Sequence, residues 1–259
     1  MSVDIILELI INNWHIILLF FIVAILYSSV GFGGGSSYLA ILALTSIAFT
    51  QIRATALLCN IIVVCGNVFL FSKNKIIDWK KIIPLVSLSV PFAFLGGYIK
   101  ISQHFFFILL GLTLLFTSIS MWLSKKISSS NISKSKPNYF KNAGLGGFIG
   151  FISGMVGIGG GIFLAPLLHL TNWDTPKKIA ATASLFILVN SIAGLIGQYQ
   201  NPDFIIDWNL TTILLFTVFI GGQIGNRISS SYFTPIQLKK ATAILIAFVS
   251  LRILYNYIF

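Results

Sequence analysis

Val30-Gly31-Phe32-Gly33-Gly34-Gly35 and Val156-Gly157-Ile158-Gly159-Gly160-Gly161 are one hexapeptide pattern written twice in the same chain, 126 residues apart. The repetition continues in order on the C-terminal side of each copy. Ala54-Thr55-Ala56 returns as Ala181-Thr182-Ala183, Ile76-Ile77-Asp78-Trp79 as Ile205-Ile206-Asp207-Trp208, and Gly96-Gly97 as Gly221-Gly222, at offsets of 125 to 129. Four ordered matches at near-constant spacing mark a duplication. A lone Gly cluster is ordinary helix-packing material in a membrane; a duplicated one in register is a designed break.

What flanks the breaks decides the solvent. Of 259 residues, 56% are hydrophobic and only 9% charged, against roughly 25% charged in a soluble domain. A water-soluble fold is excluded. The net charge of +11 would suggest a nucleic-acid partner on a soluble chain, but too few polar residues remain to solvate a surface. The expected partners are the lipid bilayer and a small molecule, with no nucleic acid. Apolar content excludes disorder, and two Cys exclude a disulfide scaffold. Ile16 to Val30 is apolar on consecutive positions rather than alternate ones, which excludes a transmembrane barrel and leaves helices. The fold class is an all-α, polytopic helical membrane protein.

A hydrocarbon core of about 30 Å needs roughly 20 apolar residues in a helix. Cutting at charges, Pro and Gly predicts ten segments, near 14–30, 36–49, 54–71, 82–99, 104–123, 142–156, 162–171, 179–199, 209–228 and 236–258, the first two of each five being short. A Ser-rich stretch with five Lys and no acid separates them, so the organisation is a first repeat 1–123, a basic linker 124–141 and a second repeat 142–259. Asp4 and Glu8 stand where a cleavable signal would carry Lys, so none is expected.

Charge sets the expected orientation, because short cytoplasmic loops collect Lys and Arg. The linker, the loop with Lys73, Lys75, Lys80 and Lys81, and the pairs Lys177-Lys178 and Lys239-Lys240 go inside. The equivalent loop of the second half carries Asp203 and Asp207 and no base, so it goes outside. Equivalent loops on opposite sides mean inverted repeats with both termini outside, as in many secondary transporters. Arg53 and Lys100 fall on the outer side as exposed exceptions, with Arg53 read chiefly as a snorkelling base and alternatively as an attractor of anions.

Candidate chemistry gathers at the breaks. Non-helical backbone at membrane depth is tolerated only where it lines protein or a wet cavity. A helix that begins there offers free N–H groups and the positive end of its dipole, a cradle for anions. Gly33, Gly34, Gly35, Ser36 and Ser37, with Gly159, Gly160 and Gly161, are the candidate donors; capping is the alternative role for the two Ser. On the next long helix Ala56, Asn60, Val63 and Asn67 share a face, matched by Ala183, Ile187, Asn190 and Gly194. Asn60, Asn67 and Asn190 are therefore candidate wall contacts, with helix packing as the other use of an intramembrane amide. Ser191 and Gln198 extend the polarity.

Other chemistries are poorly supplied. A dinucleotide fingerprint would follow a strand, not an apolar helix. No Asp or Glu falls in a predicted apolar segment, which removes the usual proton-relay carboxylate. His15, His104 and His169 sit near segment ends, so no metal or cofactor is expected, and Ser36 has no assignable His base, so no catalytic residue is expected. Cys59 and Cys65, about 240° apart on one helix, do not readily pair. A membrane-embedded redox protein or electron shuttle using them is the rival function, and a non-transporting partner subunit a third.

Gly157-Ile158-Gly159-Gly160-Gly161, then Pro166-Leu167-Leu168, then Ala181-Thr182-Ala183-Ser184-Leu185 resembles the second-half signature of the TauE/SafE sulfite exporter family, also called the toluene sulfonate uptake permease family. Gly31 to Gly35 resembles its first-half copy. The resemblance spans essentially the whole chain and implies a bacterial inner-membrane permease for small anions, often sulfite, sulfonates or sulfur-containing carboxylates. Two departures touch the pocket: Ala40 stands where the second copy has Pro166, and Ser36-Ser37 where it has Ile162-Phe163.

Overall fold

The computed structural model of the chain describes residues 3–123, 139–171, 173–202, 204–228 and 235–258. Ten helices are described: α1 (Val3–Ser29), α2 (Gly35–Leu42), α3 (Phe49–Lys73), α4 (Trp79–Tyr98), α5 (Gln103–Leu123), α6 (Tyr139–Val156), α7 (Gly161–Leu170), α8 (Pro176–Tyr199), α9 (Trp208–Arg227) and α10 (Pro235–Ile258). The described residues contain no strand. Of the basic linker expected at 124–141, residues 124–138 lie outside the described residues, as do Asp203 and the side chains of Lys239 and Lys240.

Six described helices are long and apolar enough to cross a membrane: Leu7–Ser29 of α1, α3, α4, Gln103–Ser120 of α5, α8 and α9. By contrast α2 and α7 have 8 and 10 residues. At 1.5 Å per residue they reach about 12 and 15 Å, half a bilayer core or less.

Three expected boundaries move by five residues or more. α1 is not short: it starts at Val3 and runs through a kink at Asn13 (φ −115°, ψ 16°), where the Asn13 amide donates to the Leu9 carbonyl at 3.0 Å. A side-chain amide that supplies the missing donor lets a helix bend without ending. Exposed Glu8 thereby falls at the start of the apolar stretch Leu7–Ser29, which corrects the expectation that no acid lies in an apolar segment. α2 stops at Leu42, seven residues early, because the Thr45 hydroxyl and its N–H both donate to the Leu42 carbonyl. α3 starts at Phe49, so Arg53 lies within the helix and is 3% exposed, which corrects its expected place as an exposed base.

Glycine sets the closest helix contacts. Gly146, Gly150 and Gly154 of α6 recur every four residues, and a Cβ on any of them would collide with the backbone oxygen of Leu85, Ser89 or Ala93 on α4. On the other side of the molecule Gly221 and Gly225 of α9 ride on the carbonyls of Phe21 and Ile25 of α1. Such small-residue ladders let backbones approach where lipid offers no hydrophobic drive. The pairing is reciprocal: the fourth helix of each half packs on the first helix of the other, α3 and α8 pack on one another at the centre, and α5 packs on α10. Lipid-sized apolar side chains such as Phe69, Phe92, Phe116, Phe216 and Phe248 remain exposed on the outer helix faces.

Candidate functional site

Both Gly breaks lie against α3, which orders them like marks on a ruler. At its start the backbone of Arg53 is 3.1 Å from where a Gly157 Cβ would stand. Two turns on, the Asn60 amide donates to the Ile158 carbonyl at 2.8 Å and lies against Gly33, Gly35 and Gly159. Another two turns on, Asn67 donates to the Phe32 carbonyl at 3.2 Å, and Phe71 closes on Gly31. From residue 53 to 71 is about 27 Å of helix. The breaks therefore enter from opposite ends of α3 and meet at Asn60.

Their backbones differ. In the second break Gly157, Gly159 and Gly160 all have φ between +81° and +87°, whereas in the first only Gly31 does. Gly160, left-handed at φ +82°, is the N-cap of α7, and Gly34, at φ −91°, that of α2. Neither cap uses a side chain, so Ser36 and Ser37 do not serve as caps. The Ser37 hydroxyl is 3.0 Å from the Tyr27 hydroxyl, while Ser36 Oγ is buried with no partner.

Equivalent positions meet equivalent glycines with the polarity exchanged. Gly33 and Gly35 face Asn60, and their copies Gly159 and Gly161 face Ile187, the copy of Asn60. Gly33 also faces Val64, and Gly159 faces Ser191, the copy of Val64. The Asn60 amide so serves both breaks, and the Ser191 hydroxyl is added at the second. Ser184, in the duplicated Ala-Thr-Ala neighbourhood, donates to the Gly31 carbonyl across the halves.

The amide-bearing faces are buried as the helical spacing predicts: Ala56, Asn60, Val63 and Asn67 on α3, and Ala183, Ile187, Asn190 and Gly194 on α8. Asn190 is the exception in use, because its amide donates to Phe186 of its own helix at 2.8 Å rather than to a break. Ser191, its neighbour, touches Gly159 instead. Buried polar atoms without a partner include Ser36 Oγ, Tyr38 OH, Asn60 Oδ1, Asn190 Oδ1 and Ser191 Oγ. Buried polar atoms are normally paired, and unpaired ones point to a water, an ion or a ligand. Tyr38, stacked on Phe20 at 4.6 Å, carries no pattern in the sequence that singles it out from packing aromatics.

Arg53 donates from Nη2 to the Gly154 carbonyl at 3.3 Å, and its Nε is buried without a partner. Its copy in the second half is Ala180, which faces Gly31 as Arg53 faces Gly157. Cys59 is buried and Cys65 exposed, both as free thiols.

A family model described as "Sulfite exporter TauE/SafE" matches residues 16–253. The chain belongs to that family. It is 34% identical over 245 residues to a probable membrane transporter protein of Sinorhizobium fredii, covering 91% of this chain and 96% of that one. A probable membrane transporter protein of Methanocaldococcus jannaschii is 29% identical over 193 residues, 70% of each chain. One of Bacillus subtilis is 23% identical over 223 residues, 79% of this chain and 81% of that one. No solved structure matches. This TauE/SafE protein is a multi-pass membrane transporter and not an enzyme, so the redox reading of Cys59 and Cys65 gives way.

Proposed function

We propose that this protein is a permease for small anions, sulfite, organosulfonates or related sulfur-containing or carboxylate anions, in the inner membrane of a bacterium. The observation that carries the reading is the meeting of the two Gly breaks at Asn60, where Asn60 Oδ1 and, beside Gly159, Ser191 Oγ are buried without a partner. Gly33, Gly34, Gly35, Gly159, Gly160 and Gly161 present backbone to the anion, Ser36 and Ser37 add hydroxyls, and Asn60, Asn67 and Asn190 form the wall. An anion between two opposed helix starts gains from both dipoles without any basic side chain at the midpoint.

The two halves are inverted repeats. The reciprocal packing of α4 on α6 and α1 on α9 supports a two-fold relation, and the Lys asymmetry between equivalent loops supports its inversion. The α1–α2 and α6–α7 pairs each enter and return, leaving three crossings per half, an odd number. Both termini then lie outside and the basic linker inside.

The test is flux in liposomes holding the purified chain alone. Sulfite, methanesulfonate, sulfoacetate or acetate should cross saturably. Asn60→Val, which places an apolar residue where the second half has Ile187, should abolish that flux and orphan the Ile158 carbonyl, at a cost of about 1–3 kcal/mol in stability. Flux of every probe at the protein-free rate would refute the permease reading.

A further inference from the structure

Arg53 is a charge without a counter-charge. It is 3% exposed, its Nε has no partner, and its one hydrogen bond among the described residues is the 3.3 Å donation to Gly154 in the last turn of α6. The described ion pairs join Lys81 and Lys178 to Asp174, and none reaches Arg53. A helix C-terminus offers only about half a negative charge. Ionisable groups within spanning helices are costly and face a partner, a cavity or a pathway.

We propose that the Arg53 guanidinium is the fixed counter-charge of the permeating anion, at one end of the pathway only. The inference rests on the anion-permease reading and adds to it a residue, a polarity and a ligand chemistry. Arg53 stands seven residues before Asn60 on α3, about 10 Å along the axis, beside the backbone of Gly157. An anion moving between the meeting point of the breaks and that end of α3 passes it. At the other end the equivalent place holds the Ala180 methyl with Phe71 against Gly31. The duplicated scaffold therefore carries its charge once, and the two ends of the path bind anions unequally. A planar guanidinium offers paired N–H donors to two oxygens of one group, so it selects oxyanions such as sulfonate, sulfite and carboxylate over spherical halides.

The experiment compares wild type, Arg53→Lys and Arg53→Gln as purified full-length chains in liposomes, with sulfite, methanesulfonate, sulfoacetate and acetate as probes. Initial rates give half-saturation and maximal rate separately, and melting midpoints are taken with and without each probe. R53Q should raise half-saturation at least tenfold and lose the anion-induced rise in melting midpoint. R53K should keep the protein's yield but raise half-saturation severalfold, because an ammonium does not bind two oxygens in parallel. If R53Q is not recovered as a folded chain, R53K decides, since a residue that only caps α6 would leave half-saturation unchanged after a charge-conserving swap. Wild-type transport with unaltered half-saturation in R53K, or in a folded R53Q, overturns the role of Arg53 while leaving the permease reading intact. A wild type that moves none of the probes removes the permease reading and this inference with it.

Discussion

At the scale of single residues, the two Gly breaks answer to different constraints although their sequences are near copies. Gly160 has φ +82°, and a Cβ there would stand 2.8 Å from the Phe186 ring. Gly34 has an ordinary φ of −91°, and its Cβ is blocked by Tyr38 and Val23, each at 2.6 Å. Gly160→Ala therefore pays a left-handed penalty of about 1–2 kcal/mol before any contact is counted. Repacking around it cannot restore it. Gly34→Ala suffers only from side chains, so Tyr38→Leu, which removes the two ring carbons in the way, with Val23→Ala should recover part of its transport, and no repacking around Gly160 should do the same for Gly160→Ala. Liposome flux of the single and combined variants checks this; equal rescue at both sites would mean that sterics alone govern the two breaks. The sequence made legible where the glycines, Asn60 and Asn67 lie, because triple Gly interrupts an apolar run and amides seven residues apart share one helical face. It hid the burial of Arg53 within α3, since a charge near a segment end reads as an exposed boundary. Only the tertiary position of Gly154 and Gly157 reveals that α3 had already begun at Phe49.

At the scale of elements, the ten predicted segments correspond one to one with the ten described helices, and the largest shifts lie at polar side chains. Asn13 bends α1 rather than ending it, while Thr45 ends α2 within a run that hydrophobicity alone would continue. How helices pair was not legible from periodicity, because glycine spacing on α6 names a close contact but not its partner. α4 is that partner. Gly150→Leu would drive a side chain into the Ser89 backbone and should abolish recovery of monodisperse protein, whereas Gly144, with nothing within 4 Å of its would-be Cβ, should accept Ala and gain up to about 1 kcal/mol of helix propensity. Size-exclusion profiles and melting midpoints of the two variants separate these outcomes. The halves are also clasped by charge where α4 and α8 begin. Lys81 donates to Asp174 at 2.7 Å and lies 5.1 Å from the centre of the Trp173 ring, with Lys178 at 3.7 Å from the same carboxylate. Burial works to raise the Asp174 carboxyl, but the Lys81 hydrogen bond, the Thr175 N–H and the two Lys charges outweigh it and hold the group below the ordinary carboxylate range. A carboxyl lowered in the folded state stabilises above its unfolded pKa, about 3.9, and that contribution is lost as pH falls through the lower folded value. Asp174→Asn should thus lower the melting midpoint at neutral pH and flatten its decline below about pH 4; an unchanged acid profile would remove the clasp from the account of stability.

At the scale of the whole molecule, the duplication poses the question of side. The loop between α3 and α4 and the loop between α8 and α9 are equivalent in the two halves, and both present an exposed, uncharged residue, Asn74 in the first and Gln200 in the second. If the halves are inverted, these loops face opposite compartments although they close the same element pair. If three helices cross after each returning helix pair, as proposed, that parity follows, whereas a parallel duplication would require an even number and would place both loops together. The lysines say the same: Lys73, Lys75, Lys80 and Lys81 cluster at the first loop, and the second has acid and no base. Cys59→Ala and Cys65→Ala clear the chain of native thiols, since it has two Cys. In that background Gln200→Cys should react with a membrane-impermeant maleimide in intact cells, and Asn74→Cys should react only after the membrane is opened. Asn74→Cys labelled in intact cells together with Gln200→Cys would overturn the inversion, because equivalent loops of inverted halves face opposite compartments.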